Sequence, residues 1–255
     1  MRVVYSQGLE AKYTANPVEN PDRVRLTALE LGKAGYKFEG AKPASMKDIL
    51  KIHGREHVER VMARDVSDVA RLAAGGAIMA AELGMAGEPA FALIRPPGHH
   101  ASANRSWGMC YLNNMAIAMD RVRNRAGKVL ILDIDLHFGD GTVSIFRGAE
   151  DITIVNPGSI DINCEYLQID GKGYLEQVRT ALDEKDYGLI GVSAGFDTYI
   201  EDWGRLLTND DFSQIGKAIK DASEKRCQGR RFAVLEGGYH PDLRYNVKSF
   251  LEGFG

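Results

Sequence analysis

The sequence predicts a three-layer α/β/α fold built on a central, mostly parallel sheet of about eight strands. Short apolar runs alternate with amphipathic segments along most of the chain, the pattern of a parallel sheet with helices packed on both faces. With 255 residues, 44% of them hydrophobic, the chain can bury one substantial core. Polar clusters follow the apolar runs directly, as they do where parallel strands deliver functional groups to one edge of a sheet.

The clearest strands are Val3–Tyr5, Phe91–Ile94, Val129–Ile134, Ile152–Val155, Leu189–Ser193 and Phe232–Leu235. Between them the expected helices are Pro21–Ala34, Ser45–Ile52, Glu56–Ala63, Ser67–Met85, Tyr111–Arg125, Gly173–Asp183, Asn209–Cys227 and Pro241–Gly253. Thr208–Asp211 offers side-chain oxygens to cap the second-last helix, and Gly229 lies just beyond its end. No repeat, low-complexity tract or shift of composition marks a linker, so residues 1–255 read as one domain.

Composition excludes several classes. Lys and Arg number 32 against 35 Asp and Glu, a net charge of -3 without the basic excess that phosphate backbones or anionic membranes would attract. Nucleic acid and membrane are therefore not expected as direct partners. Cys110, Cys164 and Cys227 are odd in number and far apart, which predicts no disulfide framework and a reducing, cytoplasmic setting. The apolar start of the chain is too short for a signal segment, and no stretch approaches the roughly 20 apolar residues of a membrane span.

Four clusters carry the chemistry. RPPGHH follows the Phe91–Ile94 run, DLHFGDG follows Val129–Ile134, AGFD follows Leu189–Ser193 and EGGY follows Phe232–Leu235. At the carboxyl ends of parallel strands they would converge on one site. In Asp133-Ile134-Asp135-Leu136-His137 the polar residues recur at every second position and project to one side. Two carboxylates leaving an apolar run need a compensating cation, and a divalent metal supplies it, with Asp197 as a further ligand. The plainer reading is that these carboxylates cap the next helix and that His137 is hydrogen-bonded in the core. Two carboxylates and one imidazole leave a coordination position open, which favours Zn2+, while the same donors accept Fe2+, Co2+ or Mn2+.

His99 and His100 follow Arg95-Pro96-Pro97-Gly98, a turn rigid enough to hold two imidazoles in place. Asp133 is assigned to orient His99, and Asp140 to orient His100. Tyr239, after Gly237-Gly238, is the candidate donor to a developing oxyanion, a hydrogen bond worth roughly 2.7–4 kcal/mol in a transition state.

With these residues assembled, the sequence resembles the histone deacetylase and acetylpolyamine amidohydrolase family, of the arginase/deacetylase fold. RPPGHHA (Arg95–Ala101), GMCYLNN (Gly108–Asn114), DIDLHFGDG (Asp133–Gly141), AGFD (Ala194–Asp197) and EGGY (Glu236–Tyr239) stand in the family's order, from about Asn20-Pro21-Asp22-Arg23 onward. The resemblance implies that Asp135, His137 and Asp197 hold the metal and that His100 is the general base. It makes His99 an electrostatic or acid partner and Tyr239 a hydrogen-bond donor to the substrate carbonyl. It also implies a monovalent cation, K+ or Na+, on main-chain oxygens of Asp133, Asp135 and His137. The implied reaction releases acetate from a small-molecule or peptidyl acetylated amine, such as acetyl-lysine or an acetylpolyamine, with Gly108, Met109 and Gly238 beside the substrate.

The sequence departs from that family in its walls. Met109 stands where relatives place a Phe, and Asn156-Pro157-Gly158-Ser159 is a remnant of the loop that supplies the opposing aromatic. Asp65 and Asp68 are the candidates for the loop carboxylate that grips substrate backbone. A shallower pocket than in larger relatives is expected, or one completed by a neighbouring copy in a homo-oligomer; Trp107 and Trp203, near the motifs, either line its mouth or, on the plainer reading, are packing residues. Two other functions fit parts of the pattern: an arginase-type ureohydrolase, which needs a second metal and more aspartates, and a non-catalytic acyl-ligand sensor or scaffold.

Overall fold

In the computed structural model, residues 1–159 and 169–255 are described. Cys164, one of the three cysteines considered above, lies outside them; Cys110 and Cys227 are free and buried. The described residues contain one seven-stranded sheet, parallel throughout. Its strands are β1 (Arg2–Val4), β2 (Lys37–Glu39), β3 (Ala90–Ala92), β4 (Val129–Asp133), β5 (Ile152–Val155), β6 (Leu189–Ala194) and β7 (Arg231–Leu235). They lie in the order β2-β1-β3-β7-β6-β4-β5. All six expected apolar runs form strands. About eight strands were expected and seven are present among the described residues; the seventh, β2, is not marked in the sequence because it is a three-residue edge strand whose Lys37 and Phe38 are exposed, so it carries no apolar run.

Every residue of β3, β4, β6 and β7 is buried. A strand buried on both faces needs cover above and below, and helices supply it. The helices are α1 (Asp22–Lys33), α2 (Met46–Ile52), α3 (Arg55–Met62), α4 (Ser67–Met85), α5 (Asn114–Ala126), α6 (Asp140–Ile145), α7 (Gly171–Asp183), α8 (Asn209–Cys227) and α9 (Leu243–Phe254). One group joins α5 to α4 and α2, with α4 lying on β3 and β7; another joins α8 to α9 and α7, and α9 to α1. The main core runs from Val3 to Phe254, and a smaller cluster lies under α2, α3, α4 and α5.

Helix ends follow local chemistry. The Asn113 side chain accepts the Ala116 N–H at 2.8 Å, so α5 begins at Asn114, three residues after the expected Tyr111. Thr208 and Asp211 form the expected cap of α8 as a reciprocal capping box. Gln228 itself takes the left-handed conformation at the end of α8, and Gly229 follows it with φ 76°. Among the described residues, no helix is long and apolar enough to cross a membrane.

Candidate active site

The four motif-bearing strands, β3, β7, β6 and β4, are adjacent at the centre of the sheet, and their carboxyl ends bring the four clusters together. β4 ends at Asp133, and the chain turns through Asp135 and His137 just beyond it. Asp135, His137 and Asp197 present ligand atoms all within 4.8 Å of one another. His137 Nδ1 lies 3.2 Å from Asp135 Oδ1 and 3.0 Å from Asp197 Oδ2. The two carboxylates are buried, while His137 reaches toward solvent.

Main-chain donors fix the carboxylates. Asp135 Oδ2 accepts the Gly237 N–H at 2.8 Å, and Asp197 Oδ1 accepts the Leu136 N–H at 2.9 Å. Gly195 and Gly237 must lack side chains here, since a Cβ on either would overlap the Asp135 carboxylate. Asp197 Oδ2 is buried with no hydrogen-bond partner among the described residues. Its one close polar neighbour among them is His137 Nδ1 at 3.0 Å, and a buried carboxylate oxygen without a well-formed hydrogen bond, beside a ring nitrogen and the Asp135 carboxylate, fits the donor set of a cation site. The electrostatics agree. Against the effect of burial, Asp135 and Asp197 hold His137 up at about 10, whereas burial and Asp135 push Asp197 up to about 6. Burial opposes ionisation of Asp135 too, yet His99 and His137 bring it below its ordinary value. The pocket thus demands positive charge, and a divalent cation fits it in donor type, spacing and charge.

The histidine pair lies beside this trio. His99 Nδ1 is 3.0 Å from Asp133 Oδ2 and its Nε2 is 3.7 Å from Asp135 Oδ1. His100 Nδ1 is 2.6 Å from Asp140 Oδ1, and its Nε2 has no hydrogen-bond partner among the described residues. The imidazoles titrate oppositely. Burial would lower His99, but Asp135 and Asp133 hold it well above the ordinary range; burial and the neighbouring His99 push His100 down to about 4. His99 is therefore an imidazolium at neutral pH, and His100 a neutral ring able to accept a proton on Nε2.

Tyr239 stands across from them, at the end of the β7 loop. Its N–H and that of His240 both bond to Asp202 Oδ2, at 2.6 and 2.8 Å. Trp203 stacks on its ring at 4.4 Å, and the Arg23 guanidinium lies 4.7 Å from the ring centre. Burial, with Asp135 and Asp197 nearby, pushes the phenol well above its ordinary value against the pull of Arg23, so it stays a donor. Gly238 takes φ 111°, and its carbonyl accepts the Arg23 Nε–H at 2.8 Å. Gly108 and Met109 both have positive φ, and a Cβ on Gly108 would collide with the His100 ring.

Several supports were not read from the sequence. Glu236 is fully buried; its Oε2 accepts the Gly98 and His99 N–H groups at 2.6 and 3.2 Å, and Ser193 Oγ donates to Oε1 at 3.3 Å. Burial pushes Glu236 up to about 7. It also lies with His99 and Cys110 in a second metal-like group, but its oxygens are taken by these donors and burial keeps the Cys110 thiol protonated. That group is a hydrogen-bonded floor. Glu19 bridges Arg23 at 3.3 Å and Arg95 at 2.8 Å, joining the N-terminal segment to the same floor. The EGGY motif itself was the available signal for Glu236; nothing local marks Asp202 or Glu19.

The structure bears on two expectations. Trp107 and Trp203 are not packing residues: they are 45% and 51% exposed and lie against His100 and Tyr239. Asp65 bonds to the N–H and hydroxyl of Thr14 at 2.8 and 2.7 Å, so it tethers the N-terminal segment, and Asp68 lies exposed in the first turn of α4. The loop expected to lack an opposing aromatic wall runs into residues 160–168, outside those described.

Fold and site define a parallel α/β protein whose acidic, imidazole and phenol groups converge at the strand ends. Residues 17–157, more than half of the chain, match the Histone deacetylase domain family. The chain is 32% identical to a "Probable deacetylase" of Methanothermobacter thermautotrophicus, over 99% of this chain and 90% of that protein. It is 34% identical to an acetylpolyamine amidohydrolase of Burkholderia pseudomallei, over 71% of this chain and 61% of the relative. The solved HDA15 HD domain shares the fold at TM-score 0.87 and 24% identity, covering 99% of this chain and 88% of that one. The solved acetylpolyamine aminohydrolase from Burkholderia pseudomallei does so at TM-score 0.84 and 23% identity, covering 100% and 98%. This chain belongs to the histone deacetylase domain family.

Proposed function

We propose that the chain is a metal-dependent deacetylase that hydrolyses the acetyl amide of an acetylated amine to acetate and the free amine. The observation that carries this reading is the Asp135/His137/Asp197 trio, its two carboxylates buried, beside a neutral His100 and a protonated Tyr239. Asp135, His137 and Asp197 would hold a divalent cation, zinc in the first instance with Fe2+, Co2+ or Mn2+ accepted by the same donors; when bound, it supplies Lewis-acid polarisation of carbonyl and water.

The side chains perform the rest. His100 takes a proton from the attacking water on Nε2, and Asp140 steadies the imidazolium that results. His99, held positive by Asp133 and Asp135, keeps the second imidazole neutral beforehand and offsets negative charge as it develops. Tyr239 donates its hydroxyl to the carbonyl oxygen as that oxygen becomes anionic. The proton on His100 then passes to the departing nitrogen, and the amine leaves neutral before protonation in water.

The test is acetate release from a panel of acetylated amines by zinc-loaded protein. Tyr239→Phe should lose at least about 100-fold in kcat, matching one oxyanion donor, while keeping one metal per chain. Near-full turnover in that variant would remove Tyr239 from the mechanism. No acetate from any amine at full metal occupancy would instead favour an acyl-ligand sensor, and two equivalents of manganese per chain a ureohydrolase.

A further inference from the structure

Trp107 precedes the GMCYLNN segment and carries no reactive group, yet it touches both members of the His100–Asp140 pair. Asp140 Oδ1 lies 2.6 Å from His100 Nδ1, and its other oxygen, Oδ2, accepts the Trp107 indole N–H at 3.0 Å. A carboxylate held through one oxygen can turn about its soft terminal torsion and carry the imidazole with it; held through both, it cannot. The indole also lies on the His100 ring, with centres 4.0 Å apart and planes tilted by 31°.

The backbone after Trp107 delivers that ring. Gly108 and Met109 have φ 58° and 66°, and the Cys110 N–H bonds to the Trp107 carbonyl at 3.0 Å. Two positive φ values inside a four-residue hydrogen-bonded turn are those of a type I′ turn, which reverses the chain tightly. Met109 stands there at a cost, since a residue with a side chain disfavours that region. The reversal brings Gly108 onto the imidazole, where a Cβ would stand 2.5 Å from His100 Cδ2. Indole, glycine and carboxylate together pin one ring.

A cavity of about 470 Å3 opens beside the pair, with His100, Trp107, Phe138, Asp140, Val143 and Arg147 among its walls. A polar space of that size admits water. Without the indole N–H, Asp140 Oδ2 would exchange a fixed donor for mobile water, and the imidazole would keep its acceptor but lose its single orientation.

We infer that Trp107 is a positioning residue: through Asp140 Oδ2 and the face of the imidazole, it fixes the direction in which His100 Nε2 takes the proton of the attacking water. This rests on the deacetylase reading above, in which His100 is the base. A misaligned base costs turnover more than binding, because proton transfer needs the ring within hydrogen-bond reach of the water, whereas other groups hold the substrate carbonyl.

Two substitutions separate the hydrogen bond from the packing. Trp107→Phe keeps an aromatic face on His100 but has no N–H. Trp107→His keeps a donor, since with the ring turned over its Nε2 falls where the indole Nε1 stood, but it lacks the second ring. On whichever panel amine wild type turns over fastest, Trp107→Phe should lose about tenfold in kcat with KM within about twofold. Trp107→His should recover most of that loss, to within about threefold of wild type. A packing role predicts the reverse order, Phe above His; that order, or an unchanged kcat in Trp107→Phe, would overturn the inference.

A second readout needs no turnover. In zinc-loaded protein carrying nitrogen-labelled histidine, the His100 Nδ1–H, assigned by its loss in His100→Ala, should give a far-downfield proton resonance in wild type and in Trp107→His. In Trp107→Phe it should exchange with water at least about tenfold faster or broaden away. An equally protected resonance in Trp107→Phe, or none in wild type, would overturn the inference. Acetate released from no amine, with the resonance behaving as expected, would sink the deacetylase reading and leave the hold of Trp107 on His100 standing.

Discussion

His53 is a buried histidine that cannot accept a proton without breaking its surroundings, and acid should therefore unfold this protein by a definable increment. It is 2% exposed, its Nδ1 lies 3.0 Å from the Ser102 carbonyl, and its Nε2 accepts the Asn113 N–H at 2.9 Å. A second proton would sit on Nε2, facing that N–H. Burial, with His57 beside it, lowers His53 from 6.5 to about 4. The sign follows from linkage. Above pH 6.5 the ring is neutral in both states and the full stability is present; between 6.5 and 4 the unfolded chain binds a proton that the folded one refuses. Stability is lost across that window at about 1.4 kcal/mol per pH unit, roughly 3 kcal/mol in all, and the loss levels off below pH 4. Urea unfolding of wild type and His53→Gln from pH 7.5 to 4 measures it, because the glutamine removes the titration while its oxygen can still accept the Asn113 N–H. The variant should be less stable at pH 7.5 by about 1 kcal/mol for the lost Ser102 bond, and its acid limb should be shallower. Parallel stability curves for the two proteins would refute the reasoning.

Three further outcomes follow from the site. Glu236→Gln should be tolerated, because an amide oxygen can accept the Gly98 and His99 N–H groups while its NH2 faces Ser193; Glu236→Ala strands both donors and should cost about 4 kcal/mol in urea unfolding. Asp202→Ala removes the acceptor of the Tyr239, His240 and Trp203 N–H groups and should lower kcat about tenfold or more with metal content unchanged, read by acetate release beside elemental analysis. Asp197→Asn should drop zinc well below one equivalent per chain. In the metal-free state it should melt no lower than wild type, since it relieves repulsion between Asp197 and Asp135; a lower melting temperature would mean that the carboxylate serves the fold and not an ion.

The sheet was legible wherever burial writes an apolar run. β3, β4, β6 and β7 are buried at every position, so their sequences are apolar throughout and their polar sequels stand out. β2 was invisible because an exposed edge strand of three residues has no such run. Helix starts shifted where a side chain captured a backbone donor, as Asn113 does, a choice that depends on a rotamer more than on periodicity. In the site, Asp133 and Asp140 could be matched to His99 and His100 because all four sit in two short motifs. Trp107 and Trp203 could not be placed, since a tryptophan beside a motif reads the same whether its ring faces the core or the cleft.

What remained unreadable has a common physical cause, separation along the chain. Arg23 bonds to the Gly238 and Glu236 carbonyls more than 200 residues away, and Glu19, 76 residues from Arg95, ties the two arginines together. Arg95 opens the cluster that follows β3 and Arg23 lies in α1, but no local pattern announces the partners of either. Yet the β7 loop turns through Gly237 and Gly238, two residues with little conformational preference of their own, and it must hold both the N–H that fixes Asp135 and the ring of Tyr239. A buried guanidinium that spends its donors on two carbonyls of one loop removes the freedom the glycines introduce. The glycines are required because Asp135 and Phe196 approach too closely for a Cβ, and the distant Arg23 is required because the glycines are there.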